Sequence, residues 1–158
     1  LPAREKMTDP RYQEFGAERI PVAHPAAGVE VRVIAGRAGG VEGPIRQPAT
    51  DPLYLDIILA AGSAWEYELA AGHNAFAYVF EGQATVGEGG DARLLETSEL
   101  GVLGGGTRLV LRAGATPARL ILVAGRPLRE PVARYGPFVM NTRQELMQAF
   151  VDFQEGRF

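Results

Sequence analysis

The sequence predicts an all-β fold, a barrel or jelly roll, with one C-terminal α-helix. Three observations carry this. About eight or nine short apolar segments recur, with turn signals about every ten residues. Residues 75–80, within AGHNAFAYVFEGQATV (71–86), are apolar without a break, as in a strand buried on both faces. Residues 142–155 change to helical spacing.

In chain order, residues 1–28 hold Pro2, Pro10, Pro21 and Pro25 and show no sustained period, so they predict a surface linker. Residues 29–35 (VEVRVIA) alternate Val29, Val31 and Val33 with Glu30 and Arg32, a half-buried strand. Residues 36–52 form a long connection with four glycines and three prolines, a length that is often functional. Residues 53–60 are a mostly apolar strand. Residues 64–69 alternate Trp65, Tyr67 and Leu69 with Glu66 and Glu68. After the central hairpin, EGGD (88–91) reads as a tight turn, and short strands follow at 92–96, 100–103, 108–111 and 118–124. Residues 126–141 read as an extended loop. In the helix, Leu146, Phe150 and Phe153 form a stripe widened by Met147 and Val151; Thr142 and Glu145 make a capping box and Gly156 a stop.

Composition removes several functions. With no cysteine among 158 residues, disulfides, thiolate metal sites and a cysteine nucleophile are excluded. Lys6 in the N-terminal tail is the sole lysine, which argues against a P-loop or Schiff-base lysine. A net charge of −3 gives no general attraction to nucleic acid, and no apolar run is long enough to cross a bilayer as a helix. No signal peptide is visible, so a cytoplasmic location is expected. The start at Leu1, without an initiator Met, suggests part of a longer chain.

The residue types offer no evident catalytic constellation. Only two histidines exist, His24 in the N-terminal loop and His73 at the mouth of the hairpin, and neither belongs to a His-x-His or HExxH pattern. Ser63 and Ser98 lie outside any GxSxG, and Gly104–Gly106 precede a strand rather than opening a helix. Glu66 and Glu68 share a strand face that most simply meets solvent, and Glu81 is a turn residue. The arginines Arg112, Arg119, Arg126, Arg129 and Arg134 hint at a basic groove. No catalytic, cofactor-binding or metal-ligating residue is assigned.

Four blocks are more specific. KMTDPRYQEF (6–15), YLDIIL (54–59), GHNAFAYVFEG (72–82) and GPFVMNTRQELMQAFVDFQEGRF (136–158) together resemble the C-terminal half of the pirin family, over essentially the whole chain. The resemblance implies a cupin-type barrel: residues 1–28 as the linker from an N-terminal cupin barrel absent from this chain, 29–126 as the C-terminal barrel, and 127–158 as loop and helix packed on it. It also implies iron in the N-terminal barrel, held there by three histidines and one glutamate. Some members of the family oxidise flavonols such as quercetin; eukaryotic members also act as redox-responsive co-regulators. Counting back from Tyr78–Gly82, the positions of the iron-binding His-x-His pair hold Glu68 and Ala70 here, and 104–107 hold no histidine or glutamate. The expectation is a barrel without an iron cage and no cofactor of its own. Its partner would be the N-terminal barrel, with a flavonol-type molecule belonging to the longer protein. Two further readings stand beside this: part of a quercetin 2,3-dioxygenase-like oxygenase, or a redox-responsive interaction module.

Overall fold

The computed structural model describes residues 1–9 and 11–157. Its strands are β1 (Val22–Ala26), β2 (Val29–Ala35), β3 (Arg37–Ala38), β4 (Val41–Glu42), β5 (Leu53–Leu59), β6 (Ala64–Glu68) and β7 (Asn74–Glu81). They continue with β8 (Ala84–Val86), β9 (Arg93–Leu95), β10 (Leu100–Val102), β11 (Arg108–Ala113), β12 (Ala118–Gly125), β13 (Ala133–Tyr135) and β14 (Phe138–Met140), followed by helix α1 (Arg143–Gln154). The chain divides into two compact units: residues 13–127, and the segment up to Tyr12 together with the residues from Leu128 onward.

The larger unit holds two antiparallel sheets, one of six strands in the order β1-β2-β5-β12-β7-β10 and one of four in the order β6-β11-β8-β9. Alternation along each strand sends one set of side chains between the sheets. Val31, Val33, Leu55, Ile57, Leu59, Val79, Leu120 and Leu122 come from the large sheet, and meet Trp65, Val86, Leu109 and Leu111 from the small one. Each such side chain, fully buried, contributes roughly 1.5–3 kcal/mol relative to exposure. No polar or charged residue is buried among the described residues. The alternation read from 29–35 and 64–69 is present: Val29, Val31, Val33 and Trp65 point inward, while Glu66 and Glu68 are exposed.

Three segments are more ordered than their sequence predicts. β1 lies in the stretch read as linker and pairs with β2, through a register shift between Ala23 and Ala26. It gives no period because Ala23 is its one buried residue, and Pro25 is tolerated because β1 is an edge strand. In the 36–52 connection, β3 and β4 make a small hairpin around Gly39 and Gly40, both at positive φ, as a two-residue turn requires. The 126–141 segment contains the β13–β14 hairpin, whose three-residue strands are too short for periodicity to register.

The smaller unit is built on this hairpin and α1. Thr142 Oγ1 accepts from Glu145 N at 3.2 Å, and the Glu145 carboxylate accepts from Thr142 N at 2.8 Å, completing the capping box. These bonds hold the Glu145 carboxyl below its usual range. Leu146 and Ala149 are the buried helix positions. Phe150 packs on Tyr135 and Phe138, and Phe153 on Phe138. Met147 and Val151 are exposed, so the apolar stripe is wider than the face this unit covers. Ala3 N donates to Glu130 at 2.7 Å, tying the N-terminal segment to the same unit.

Gly82, at φ +71, turns the chain from β7 to β8, and a Cβ there would lie 2.2 Å from the Pro117 carbonyl oxygen. Gly82→Ala should therefore cost about 2–3 kcal/mol, from clash plus backbone strain. A urea unfolding midpoint unchanged from that of the parent protein would contradict this contact.

Candidate functional site

A cleft of the 13–127 unit, about 680 Å³ in volume, lies between the 36–53 connection, the end of β6, His73, Thr107 and Ala124. Its loop wall is pinned by backbone bonds. Gly43 N donates to Gly36 O (2.9 Å), Ile45 N to Ile34 O (3.2 Å), Asp51 N to Gln47 O (2.8 Å) and Arg126 N to Thr50 O (2.7 Å). Glu42 accepts from Arg37 at 3.1 Å and pairs with Arg46 at 3.2 Å. Tyr67 stacks 5.1 Å from Trp65, and its hydroxyl donates to the Arg37 carbonyl at 2.8 Å. Burial pushes the Tyr67 phenol up.

His73 is 8% exposed at its side chain, with Nε2 3.3 Å from Asp51 Oδ2. Arg126 reaches the same oxygen at 3.7 Å. Asp51 holds a φ of +44 immediately before Pro52, a backbone state that costs a non-glycine residue of order 1–3 kcal/mol. Asp51, Tyr67 and Arg126 are the site residues that sequence reasoning missed as a group. The only local signal was Thr50-Asp51-Pro52, a turn-forming run at the end of a long connection.

Glu68, Ala70 and Thr107, residues of the two segments where family ligands would fall, all line this one cleft. None supplies an imidazole, and His73 directs Nε2 to Asp51. Among the described residues no three His, Asp or Glu side chains converge as a set that could hold a metal ion. The donor set does not fit a three-histidine, one-glutamate iron cage.

The other sequence candidates lie apart from one another. His24 is exposed on β1. Ser63 Oγ donates to Ala60 O in a turn, and Ser98 occupies a turn at φ +73. Gly104–Gly106 have open space around them, and Glu81 is exposed at the end of β7. Glu66 is committed to an ion-pair network. Arg108 grips it through two bonds of 2.7 and 2.8 Å and also holds Glu88. Those hydrogen bonds keep Glu66 and Glu88 below the usual carboxylate range and raise Arg108 further. Of the five arginines that hinted at a basic groove, Arg112 faces Glu88, Arg126 faces Asp51, and Arg119 forks onto Asp56 at 3.0 and 2.6 Å. Arg129, at φ +55, and Arg134 belong to the smaller unit, and the three arginines of the larger unit each face a carboxylate.

The Arg119–Asp56 fork lies on the outward face of the six-stranded sheet, where Arg119 also covers the Phe80 ring at 5.0 Å. Strand register places Phe76, Tyr78, Ile121, Val123 and Tyr54 on this face, with Leu100 opposite Tyr78 and Val102 opposite Phe76. Tyr54, Leu100 and Val102 are 39%, 53% and 81% exposed.

Two antiparallel sheets enclosing an apolar core, with a cleft lined by the residues at the end of β6, define a cupin-type barrel. The chain belongs to the pirin family: the family model for the pirin C-terminal cupin domain matches residues 54–158. A pirin-like protein of Caulobacter vibrioides is 46% identical over the whole chain, which covers 56% of that relative. Human pirin is 37% identical over 99% of the chain, covering 54% of its own length. The crystal structure of a quercetin 2,3-dioxygenase from Acinetobacter baumannii matches at 33% identity with a TM-score of 0.88, over all of this chain and 54% of that one. The chain thus spans about half the length of the curated relatives it matches.

Asp51 supplies a direct test of the cleft geometry. Asp51→Ala and Asp51→Gly both remove the contacts to His73 and Arg126, but only glycine adopts positive φ freely. The alanine variant should be less stable than the glycine variant by about 0.5–1 kcal/mol in urea unfolding. The reverse order would contradict the backbone assignment.

Proposed function

We propose that this chain is the metal-free cupin barrel of a two-barrel protein, packing on and supporting an N-terminal barrel that carries iron. The observation that supports this most is the outward face of the six-stranded sheet. Aromatic and β-branched side chains stand there on neighbouring strands β7, β12 and β10, where an outer sheet face in contact with water would carry polar alternation. The chain's span of about half its relatives leaves a barrel's worth of those proteins unmatched. The lack of an iron cage at Glu68, Ala70 and Thr107 is consistent with the iron belonging elsewhere.

A second reading concerns the longer protein, and the likeness to a quercetin 2,3-dioxygenase structure favours it. In that reading the longer protein is an iron-dependent oxygenase of flavonol-type substrates, and this barrel closes one side of its groove. A cytoplasmic location belongs to the same proposal. Among the described residues no helix is long and apolar enough to cross a membrane.

The test is anaerobic loading of the chain with Fe(II), desalting, then metal analysis and a quercetin turnover assay. The proposal expects well under one iron per ten chains and no turnover, whereas a two-barrel relative treated in parallel binds iron. Close to one iron per chain, or quercetin consumption by this chain alone, would overturn it.

A further inference from the structure

The helix of the smaller unit carries an apolar face that its own hairpin does not cover. Arg143, Met147, Val151 and Gln154 follow one another at the helical repeat and form one ridge along α1. Beside this ridge Leu146 is buried, and Phe150 packs on Tyr135 of the hairpin at 5.4 Å. Together these side chains enclose a groove of about 590 Å³. Met147 is 65% exposed, Val151 41% and Tyr135 69%. Single apolar side chains on a surface are ordinary, but three lining one groove mark a contact site.

The charges of the helix are engaged, with Arg143 the exception. Glu145 closes the capping box, and Arg157 holds both Asp152 and Glu155. Arg143, at the N-terminal end of the ridge, meets no carboxylate among the described residues, and no residue lining the groove is acidic. The groove is therefore apolar along its length with an uncompensated positive charge at one end. Its complement is an apolar surface that bears a carboxylate.

The path of the chain selects the occupant. Residues 1–12 belong to this unit and not to the barrel, and Ala3 N donates to Glu130 at 2.7 Å. A domain preceding Leu1 would thus join the molecule through the unit that holds the groove. The chain covers 56% and 54% of two relatives, which leaves a segment of barrel size to fill it. Separate proteins bind stably through about 800 Å² on each side, more than a groove with three exposed apolar side chains offers. A tethered domain meets the groove at an effective concentration on the order of millimolar, so a small contact suffices.

We propose that this groove docks the N-terminal barrel of the longer protein, which sets apolar side chains against Met147 and Val151 and a carboxylate against Arg143. The inference rests on the two-barrel reading above, but not on the outer sheet face, which is a different surface.

Hydroxyl-radical footprinting of Tyr135, Met147 and Val151 tests it, in this 158-residue chain and in a two-barrel protein that contains it. All three should be several-fold less reactive in the two-barrel protein, with Leu94, 55% exposed on the four-stranded sheet, as the reference. Arg143→Glu should return Met147 and Val151 of the two-barrel protein toward the reactivity seen in the single chain. The same substitution should leave the urea midpoint of the single chain in place, since an acidic residue in the first turn suits a helix N-terminus. Equal reactivity of Met147 and Val151 in the two proteins would overturn the proposal. If Tyr54, Leu100 and Val102 are protected in that experiment, the groove alone has failed and the two-barrel packing stands. Protection that ignores Arg143→Glu would remove the carboxylate partner and overturn the proposal as stated. Protection in the single chain that grows with its concentration would put a second copy in the groove, and would overturn it too.

Discussion

Strand β12 is paired along its length with β5 on one side and β7 on the other, and the rest of the barrel depends on that double pairing. It puts Leu120 and Leu122 between the sheets and Ile121 and Val123 on the outer face. Sliding β12 by one residue would exchange these sets, and because both are apolar, hydrophobicity alone distinguishes the two registers weakly. Polar and steric contacts supply the difference. The Arg119 fork onto Asp56 exists in one register only, and Gly82 packs against the Pro117 carbonyl just before β12 begins. These contacts keep a strand that is apolar on both faces from slipping.

The cleft follows a different rule, that of internal neutralisation. Glu42 and Asp51 are each approached by two basic side chains, and the loop carrying them is fastened by backbone hydrogen bonds to β2 and to Arg126 just past β12. The Asp51–His73 contact is made with Asp51 in a strained conformation that the surrounding bonds maintain. The one histidine on the cleft lining, His73, is directed to Asp51.

Much of the fold was legible in the sequence because two-sheet burial imposes a period of two. Val29, Val31 and Val33 against Glu30 and Arg32 read directly as they stand, and the Thr142–Glu145 box marked the start of α1. β1, β3–β4 and β13–β14 were not legible, since strands with one buried residue or only two or three positions carry no period. The buried helix face also differed: Ala149 joins Leu146, while Met147 and Val151 are exposed, because spacing reports which residues share a face and not how much of it is covered. Of the cleft, His73 was legible as a residue at a strand entrance. Its partner was not, for Asp51 is 22 positions away (73 − 51) on another loop, and only the fold brings them together. The spread of arginines suggested a basic groove because sequence counts charges without their partners, and Asp56, Glu88 and Asp51 are those partners.

In the proposed reading, the apolar outer sheet face of this pirin-family barrel meets the second barrel of a longer protein. The central claim is that this outer face is an interface. Hydroxyl-radical footprinting of Tyr54, Leu100 and Val102 tests it most directly, with this chain compared against a two-barrel protein that contains it. The account predicts that all three side chains, exposed here, become several-fold less reactive when the second barrel is present. Equal reactivity in the two proteins would show that the face meets solvent in both, and would contradict the account.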